Sequence, residues 1–169
     1  GFYGTGYGNG FPDVSSAQLE LTRDGRFNLF VSAAECGQGS DTAMLQIAAE
    51  AIGCATSRIN GFTCDTKITT DSGTAAASRQ TYNTGNAIRL AAEKLHRKLT
   101  REAQACLKLN SDLRLEMTRD GIELTFDPSF HCSYEELAAH IYQDENTPLV
   151  RAEAVFTAQT TTMDPATGQ

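Results

Sequence analysis

The chain has 169 residues, 40% hydrophobic and 21% charged, with a formal net charge of −7 and a pI near 4.9. This size suits one globular domain or a piece of a larger one, able to bury a core without disulfide or metal staples. An acidic balance with no basic cluster disfavours nucleic acid as the main partner, because phosphate neutralisation needs Lys and Arg.

The first ten residues, Gly-Phe-Tyr-Gly-Thr-Gly-Tyr-Gly-Asn-Gly, are too rich in glycine for an ordinary opening strand. Their spacing is not G-x-G-x-x-G, no strand precedes them and Pro12 follows, so a dinucleotide fingerprint is not read here. The segment reads instead as backbone that approaches a ligand or another subunit closely, with Tyr3 and Tyr7 able to stack on a planar ligand or to pack. Ala17, Leu19 and Leu21 then alternate with polar residues, as do Phe27, Leu29 and Val31, and Asp24-Gly25 between them predicts a β-hairpin. Residues 33–40, Ala-Ala-Glu-Cys-Gly-Gln-Gly-Ser, form a tight polar loop between an apolar strand and a helix. Its glycines leave the backbone bare, the amide of Gln38 can donate and accept, and the following helix aims N–H groups and a positive dipole end at the same place. A plain strand-to-helix turn would show the same shape. Met44, Ile47, Ala48 and Ala51 give that helix one apolar face over residues 40–52, with Ser40 or Asp41 as cap and Gly53 as stop.

Residues 59–63 predict a strand. Residues 66–79 are small and polar with no apolar period, and within them Gly73 to Arg79 has side chains too small to shield the backbone, which suits a surface pressed against a bulky cofactor or a flexible loop. Residues 84–107 predict a long helix with Ile88, Ala91, Ala92, Leu95 and Leu99 as its buried stripe. A second hairpin follows, Leu113, Leu115 and Met117 against Ile122, Leu124 and Phe126 around Asp120-Gly121. Thr-Arg-Asp-Gly occurs in both hairpins and reads as repeated turn chemistry rather than an internal repeat. Ser133 with Glu136 is a capping box for a short helix to about Tyr142, and Val150, Ala152, Ala154 and Phe156 alternate as a last strand. The order predicts an α+β fold with helices packed on mixed sheets. It forms a single domain or a fragment of one, residues 1–107 carrying the cofactor loops and residues 108–169 the second hairpin, short helix and strand. The glycine-rich start at Gly1 and the polar end through Gln169 read as an excised piece of a longer polypeptide.

Five cysteines, Cys36, Cys54, Cys64, Cys106 and Cys132, make an odd number without a C-x-x-C pair. Neither a disulfide framework nor an iron–sulfur site is expected within the chain, and a reducing cytoplasm is. No apolar run is long enough to cross a membrane and no secretion signal is visible. His96, His131 and His140 show no zinc spacing, and neither a nucleophile elbow nor a phosphate-loop motif occurs, so none of these residues is given a catalytic role. Glu35 and Asp41 flank the Gly-Gln-Gly loop as an acid/base pair or, more simply, as turn and cap residues.

Taken in order, Glu35-Cys-Gly-Gln-Gly-Ser-Asp-Thr42, Gln46-Ile-Ala-Ala-Glu50, Asp65-Thr66 and Gly73-Thr-Ala-Ala-Ala-Ser-Arg-Gln80 resemble the molybdenum-cofactor-binding large subunit of the molybdenum hydroxylases, the xanthine dehydrogenase and aldehyde oxidase family. The resemblance covers about residues 1–99. It implies cofactor contacts from Gly37, Gln38 and Gly39 and from Thr74, Ala75, Ala76, Ala77, Ser78, Arg79 and Gln80. In the family the glutamine bonds the metal's ligands, the small loop lies against the dithiolene and pyranopterin, and Arg79 and Gln80 reach the pterin or phosphate part. Ala75 and Ala76 would border the substrate, and Tyr7 falls nearest the substrate-stacking aromatic.

The family's activity is hydroxylation of an N-heterocycle (purine-like, as xanthine, or nicotinate) or an aldehyde with water-derived oxygen. The resemblance further implies molybdopterin or its dinucleotide form here, iron–sulfur clusters and FAD on other domains or subunits, and the rest of the molybdenum-binding subunit as partner. The family's catalytic glutamate lies near its C-terminus, so no catalytic residue is expected in this chain, no direct metal ligand either, and no activity of the chain alone. Two other readings stand beside it: a non-catalytic α+β interaction domain that has lost the cofactor, and an anion-binding module using only helix N-termini.

Overall fold

The structure, a computed structural model, describes residues 13–76, 78–159 and 166. Seven strands, three α-helices and a 3-10 turn (Thr56–Arg58) are present among them: β1 (Val14–Leu21), β2 (Phe27–Val31), α1 (Ser40–Ile52), β3 (Ile59–Thr63), α2 (Arg79–Cys106), β4 (Leu115–Met117), β5 (Gly121–Leu124), β6 (Asp127–Ser133), α3 (Tyr134–Ile141) and β7 (Arg151–Thr157). They build two sheets, a four-stranded one in the order β3-β2-β1-β7 and a three-stranded one in the order β4-β5-β6. The expected α+β architecture with mixed sheets is what forms.

The larger sheet grows around β1, which pairs antiparallel with β2 on one side and β7 on the other. In the turn before β2, the Thr22 N–H donates to the Arg26 carbonyl at 2.8 Å and Gly25 takes a φ of 78°. A Cβ on Gly25 would lie 2.7 Å from the Glu135 backbone nitrogen, so glycine is required here for space as well as for φ. β2 and β3 are parallel, joined through α1 as a βαβ unit. Alternate residues of β1, Ala17, Leu19 and Leu21, point into the core with Leu29 and Val31 of β2, and α2 covers them with Ile88, Ala91, Ala92, Leu95 and Leu99. This is the stripe legible in the sequence, and it makes the long helix the spine of the fold. The other face of β1 is polar yet buried: Glu20 receives the Arg151 guanidinium at 2.7 Å and the Asn28 amide at 2.8 Å.

α3 couples the two sheets. Tyr134, fully buried, meets Phe27 edge-to-face at 5.0 Å and donates its hydroxyl to the Thr118 carbonyl at 2.8 Å. The capping box forms as expected, the Ser133 Oγ accepting from the Glu136 N–H and the Glu136 carboxylate from the Ser133 N–H.

Three boundaries depart from the sequence expectation. α2 starts at Arg79, a turn and a half before Thr84, because its first turns bury polar side chains that carry no apolar period. The second hairpin is a three-stranded meander: Leu113 lies before β4, Phe126 sits 85% exposed in the β5–β6 connection, and β6 is a third strand beyond the two expected. Pro128 and five exposed residues in β6 hide the strand pattern, since an edge strand tolerates both. The cap of α1 is Gly39, not Ser40 or Asp41.

Candidate functional site

The topology gathers the loops at one end of the larger sheet. With β2 and β3 parallel and β1 antiparallel to β2 and β7, the ends of β2, β3 and β7 and the start of β1 share that end. Ala158 closes it by donating its N–H to the Asp13 carbonyl at 3.0 Å. Carboxyl ends of parallel strands are where open α/β sheets bind ligands. Two connections leave from here: residues 32–39, leading into α1, and residues 64–78, leading into α2. They are bonded together, the Ser32 N–H to Ser72 Oγ at 2.8 Å and the Ser32 hydroxyl to Thr69 Oγ1 at 2.7 Å. The structure thus joins the two loops that the sequence singled out separately.

The first loop is closed on itself. Glu35 Oε1 accepts the N–H groups of Gly37 (2.6 Å) and Gly39 (3.0 Å), and Oε2 accepts the Asp41 N–H at 3.1 Å. These donors, Asp41 first and then Gly39, hold the Glu35 carboxyl down at about 2. The anion expected at the start of α1 is therefore this chain's own carboxylate, which corrects the reading of that terminus as an open phosphate cradle and places Glu35 as a cap rather than a base. Gln38 is exposed; its Oε1 accepts the Cys36 N–H at 2.5 Å and its Nε2 donates to the Ala34 carbonyl at 2.7 Å. A Cβ on Gly37 or Gly39 would meet nothing within 4 Å, so both glycines face open space and are required by their φ values of 96° and 80°.

The second loop is held from below. Asp71 and Ser72 lie along β1, the Asp71 carbonyl accepting the Ser16 N–H at 2.9 Å and the Ser72 carbonyl the Ser15 hydroxyl at 3.0 Å. Arg79 anchors the rest. Its guanidinium donates to the Ser72 carbonyl (3.0 Å), the Thr74 carbonyl (2.7 Å), the Val14 carbonyl (2.7 Å) and Asp13 Oδ1 (2.5 Å). Asn83 also donates to Asp13 Oδ1, while Asp13 Oδ2 is enclosed without a hydrogen-bond partner among the described residues. Gln80 turns inward too, accepting from Thr84 Oγ1 at 2.6 Å.

Of the residues singled out by sequence, Gly37, Gln38, Gly39, Thr74, Ala75 and Ser78 are exposed at this end and Ala76 is partly so. Arg79 and Gln80 are 4% and 9% exposed and face the interior, so the side chains expected to reach the cofactor instead fix the loop's base. Ala77 and Tyr7 lie outside the described residues. Asp13, Ser15, Ser72 and Asn83 were not foreseen, because buried polar partners carry no periodic signal. A basic cluster also assembles, contrary to the sequence reading. Lys94, Arg97, Lys98 and Arg101 line one face of α2 beside Arg151, and the two lysines donate to the Glu153 and Arg151 carbonyls of β7 at 2.9 and 2.5 Å. Lysines laid over an edge strand block pairing with another chain.

Beside the loops, a groove of about 1030 Å³ runs between α1 and α2, lined by Ile47, Ala51, Tyr82, Gly85 and Arg89, with Ser78 on its wall. Tyr82 is 49% exposed there.

The fold these residues define is an α+β module with a mixed sheet whose strand ends carry two joined loops of small residues, open over both glycines. The whole chain, residues 1–169, matches the molybdopterin cofactor-binding domain family, and it belongs to that family. It is 33% identical over 159 residues to the xanthine dehydrogenase molybdenum-binding subunit of Escherichia coli O157:H7, covering 92% of this chain and 21% of that one. It is 39% identical over 98 residues to the aldehyde oxidoreductase of Megalodesulfovibrio gigas, covering 56% of this chain and 11% of that one. In fold it is similar to quinoline 2-oxidoreductase from Pseudomonas putida 86, with a TM-score of 0.72, 24% identity and coverage of 85% of this chain and 19% of that one. The chain spans about one fifth or less of the length of these relatives. Among the described residues no three His, Cys, Asp or Glu side chains group as a metal site, and no helix is long and apolar enough to cross a membrane.

The cofactor named by the family fits this end of the sheet. The open space over Gly37 and Gly39 and the exposed alanine of the second loop leave room for a bulky planar group, and Gln38, Thr74 and Ser78 offer neutral donors and acceptors at its rim.

Proposed function

We propose that this domain forms one wall of the molybdopterin site in a cytoplasmic oxidoreductase that hydroxylates an N-heterocycle or an aldehyde with oxygen from water. The names of its relatives support both substrate classes, xanthine in one and an aldehyde in the other. The observation that carries the reading is the joining of the Gly37–Gln38–Gly39 loop to the 72–78 loop at one sheet end, with their small side chains outward. The cofactor, when bound, supplies the redox chemistry; the protein supplies binding and orientation. Gln38, whose amide is bonded within its own loop to Cys36, Ala34 and Ser40, would hydrogen-bond the cofactor's ligands once it gives up one of those partners. Thr74, Ala75, Ala76, Ala77 and Ser78 lie along it, and Ala75 and Ala76 leave the space a substrate needs. Arg79 and Gln80 act from beneath, holding the 72–76 backbone at a fixed height, and Tyr7 would stack on the substrate ring.

No base for the reaction is assigned in this chain: Glu35 is committed to the α1 cap, Asp65 and Asp71 accept the Lys67 and Gly73 N–H groups of their own loop, and Asp13 is held by Arg79. The remainder of the polypeptide contributes the rest of the site. It seats on the apolar α1–α2 groove around Ile47 and Tyr82, and iron–sulfur and flavin partners carry electrons away. The chain alone is inactive.

The test is metal and pterin analysis of the full-length protein purified with its partner subunits. Molybdenum near one equivalent with a fluorescent oxidised pterin is expected, and Ala75→Phe should keep the fold while lowering turnover of the purine, nicotinate or aldehyde substrate at least about tenfold. Absence of molybdenum and pterin, in a host that makes the cofactor, would instead favour a non-catalytic interaction domain. The internally satisfied Gln38 amide is the observation on that side.

A further inference from the structure

Cys106, in the last turn of α2, and Cys132, near the end of β6, place their sulfurs 3.5 Å apart. The five cysteines are all free thiols, and the other three are elsewhere: Cys36 and Cys64 exposed on the loops, Cys54 after α1. The pair is asymmetric. Cys132 is 2% exposed and lies in the core, paired across strands with Ile122, whereas Cys106 is half-buried at the seam between α2 and the smaller sheet. Twenty-five residues separate them in sequence, so only the packing of α2 against β4–β6 brings the thiols together.

We propose that Cys106 and Cys132 form a reversible redox modification site: a hydroperoxide oxidises Cys106 and Cys132 resolves it as an intrachain disulfide. Access selects the order. The oxidant reaches Cys106 first; its sulfur bonds one peroxide oxygen, the O–O bond breaks, and the thiol proton leaves with the other oxygen as water or an alcohol. The Cys132 sulfur then attacks that sulfenic acid, the S–S bond forms, the S–O bond breaks, and hydroxide departs with the Cys132 proton as water. In sum two thiols lose two electrons and two protons, and one hydroperoxide is reduced. A dithiol reductant reverses the step. Burial, then contact with Cys106, pushes the Cys132 thiol up to about 12. It therefore stays a protonated thiol of low reactivity toward exogenous electrophiles; contact with Cys106 at 3.5 Å is what directs it to that sulfur, its proton passing to the departing hydroxide as the S–S bond forms. The bond joins the C-terminal end of α2 to the strand that leads into the α3 cap, closing the seam between helix and small sheet.

The experiment uses the full-length protein, reduced, desalted and treated with hydrogen peroxide in slight excess over thiol. Free thiols are then blocked with N-ethylmaleimide and the digest is mapped by mass spectrometry without reduction. A linked peptide containing Cys106 and Cys132, lighter by two hydrogens than its parts and separated by dithiothreitol, is expected as the dominant disulfide. In Cys132→Ser the same treatment should leave Cys106 as a sulfenic acid that dimedone traps, and in Cys106→Ser Cys132 should stay a free thiol. Recovery of both cysteines as maleimide adducts after Cys36 and Cys64 have been oxidised would overturn the proposal. So would pairing of Cys106 with Cys36, Cys54 or Cys64 as often as with Cys132. None of these readouts depends on cofactor content or turnover.

Discussion

The two long connections of this domain each turn into a helix through the same backbone conformation, and they stabilise that turn in opposite ways. Gly39 caps α1 and Ser78 caps α2, both left-handed, with φ of 80° and 57°. At α1 the residue is glycine, which holds that conformation without strain, and the Glu35 carboxylate supplies the negative charge the helix start favours. At α2 the residue is serine, no side chain caps the helix, and the first turn carries no acid. Its loop is held from beneath by a buried guanidinium instead. One helix start is electrostatically complete; the other keeps its dipole uncompensated at the surface where Ser78 and the small-residue loop face outward.

Breaking the α2 anchor should have the largest effect. Asp13→Ala leaves the Arg79 guanidinium, 5% exposed at its side chain, buried without its carboxylate. Loss of one partner of a buried pair costs about 3–5 kcal/mol, read as a lower denaturation midpoint, with earlier protease cleavage within residues 72–76. Asp13→Asn should recover part of this by keeping the Oδ1 acceptor. A midpoint unchanged in Asp13→Ala would show that Val14, Ser72 and Thr74 carbonyls alone hold the loop.

Ala75→Phe comes next and separates stability from function. Ala75 is exposed, so the midpoint should move by less than about 0.5 kcal/mol, while turnover of the full protein falls at least about tenfold. A wild-type rate would remove Ala75 from the site.

The α1 cap predicts a pH effect whose sign is fixed. The Glu35 carboxyl is lowered from 4.5 to about 2 in the folded state. A depressed carboxyl stabilises the fold above its unfolded value and loses that contribution as pH falls from about 4.5 through about 2. Wild-type stability should drop across that window, and Glu35→Gln should lack this component of the drop. Equal pH profiles would assign the loop's closure to Gln38 alone.

The smallest effects compare the caps directly. Gly39→Ser should destabilise by about 1 kcal/mol through φ alone, since nothing lies within 4 Å of its Cβ. Ser78→Gly should be neutral to slightly stabilising, because relief of the left-handed strain offsets the added freedom of the unfolded chain. Opposite signs in a chemical denaturation series would confirm that the two turns share one backbone conformation.

The sequence by itself determined the hairpin around Gly25, the α2 stripe, the capping box at Ser133 and the exposed Gly37, Gln38, Gly39 and Ala75, whereas the α1 face shifts to Met44, Ala48, Ala49 and Ile52 with Ile47 and Ala51 on the groove. Each rests on a local rule: strand alternation, helical period, turn chemistry or absence of a side chain. The ordered motifs carried the family as well. Tertiary structure alone decided the inward turn of Arg79 and Gln80, the partnership of Asp13 and Asn83, the strand β6 and the meeting of Cys106 with Cys132. A side chain's direction at the start of a helix depends on what packs beneath it, and nothing in residues 73–80 says that the beginning of β1 will lie there. Likewise the capture of the α1 terminus by Glu35 depends on a loop that curls back within a single turn, which composition cannot distinguish from one left open for a ligand.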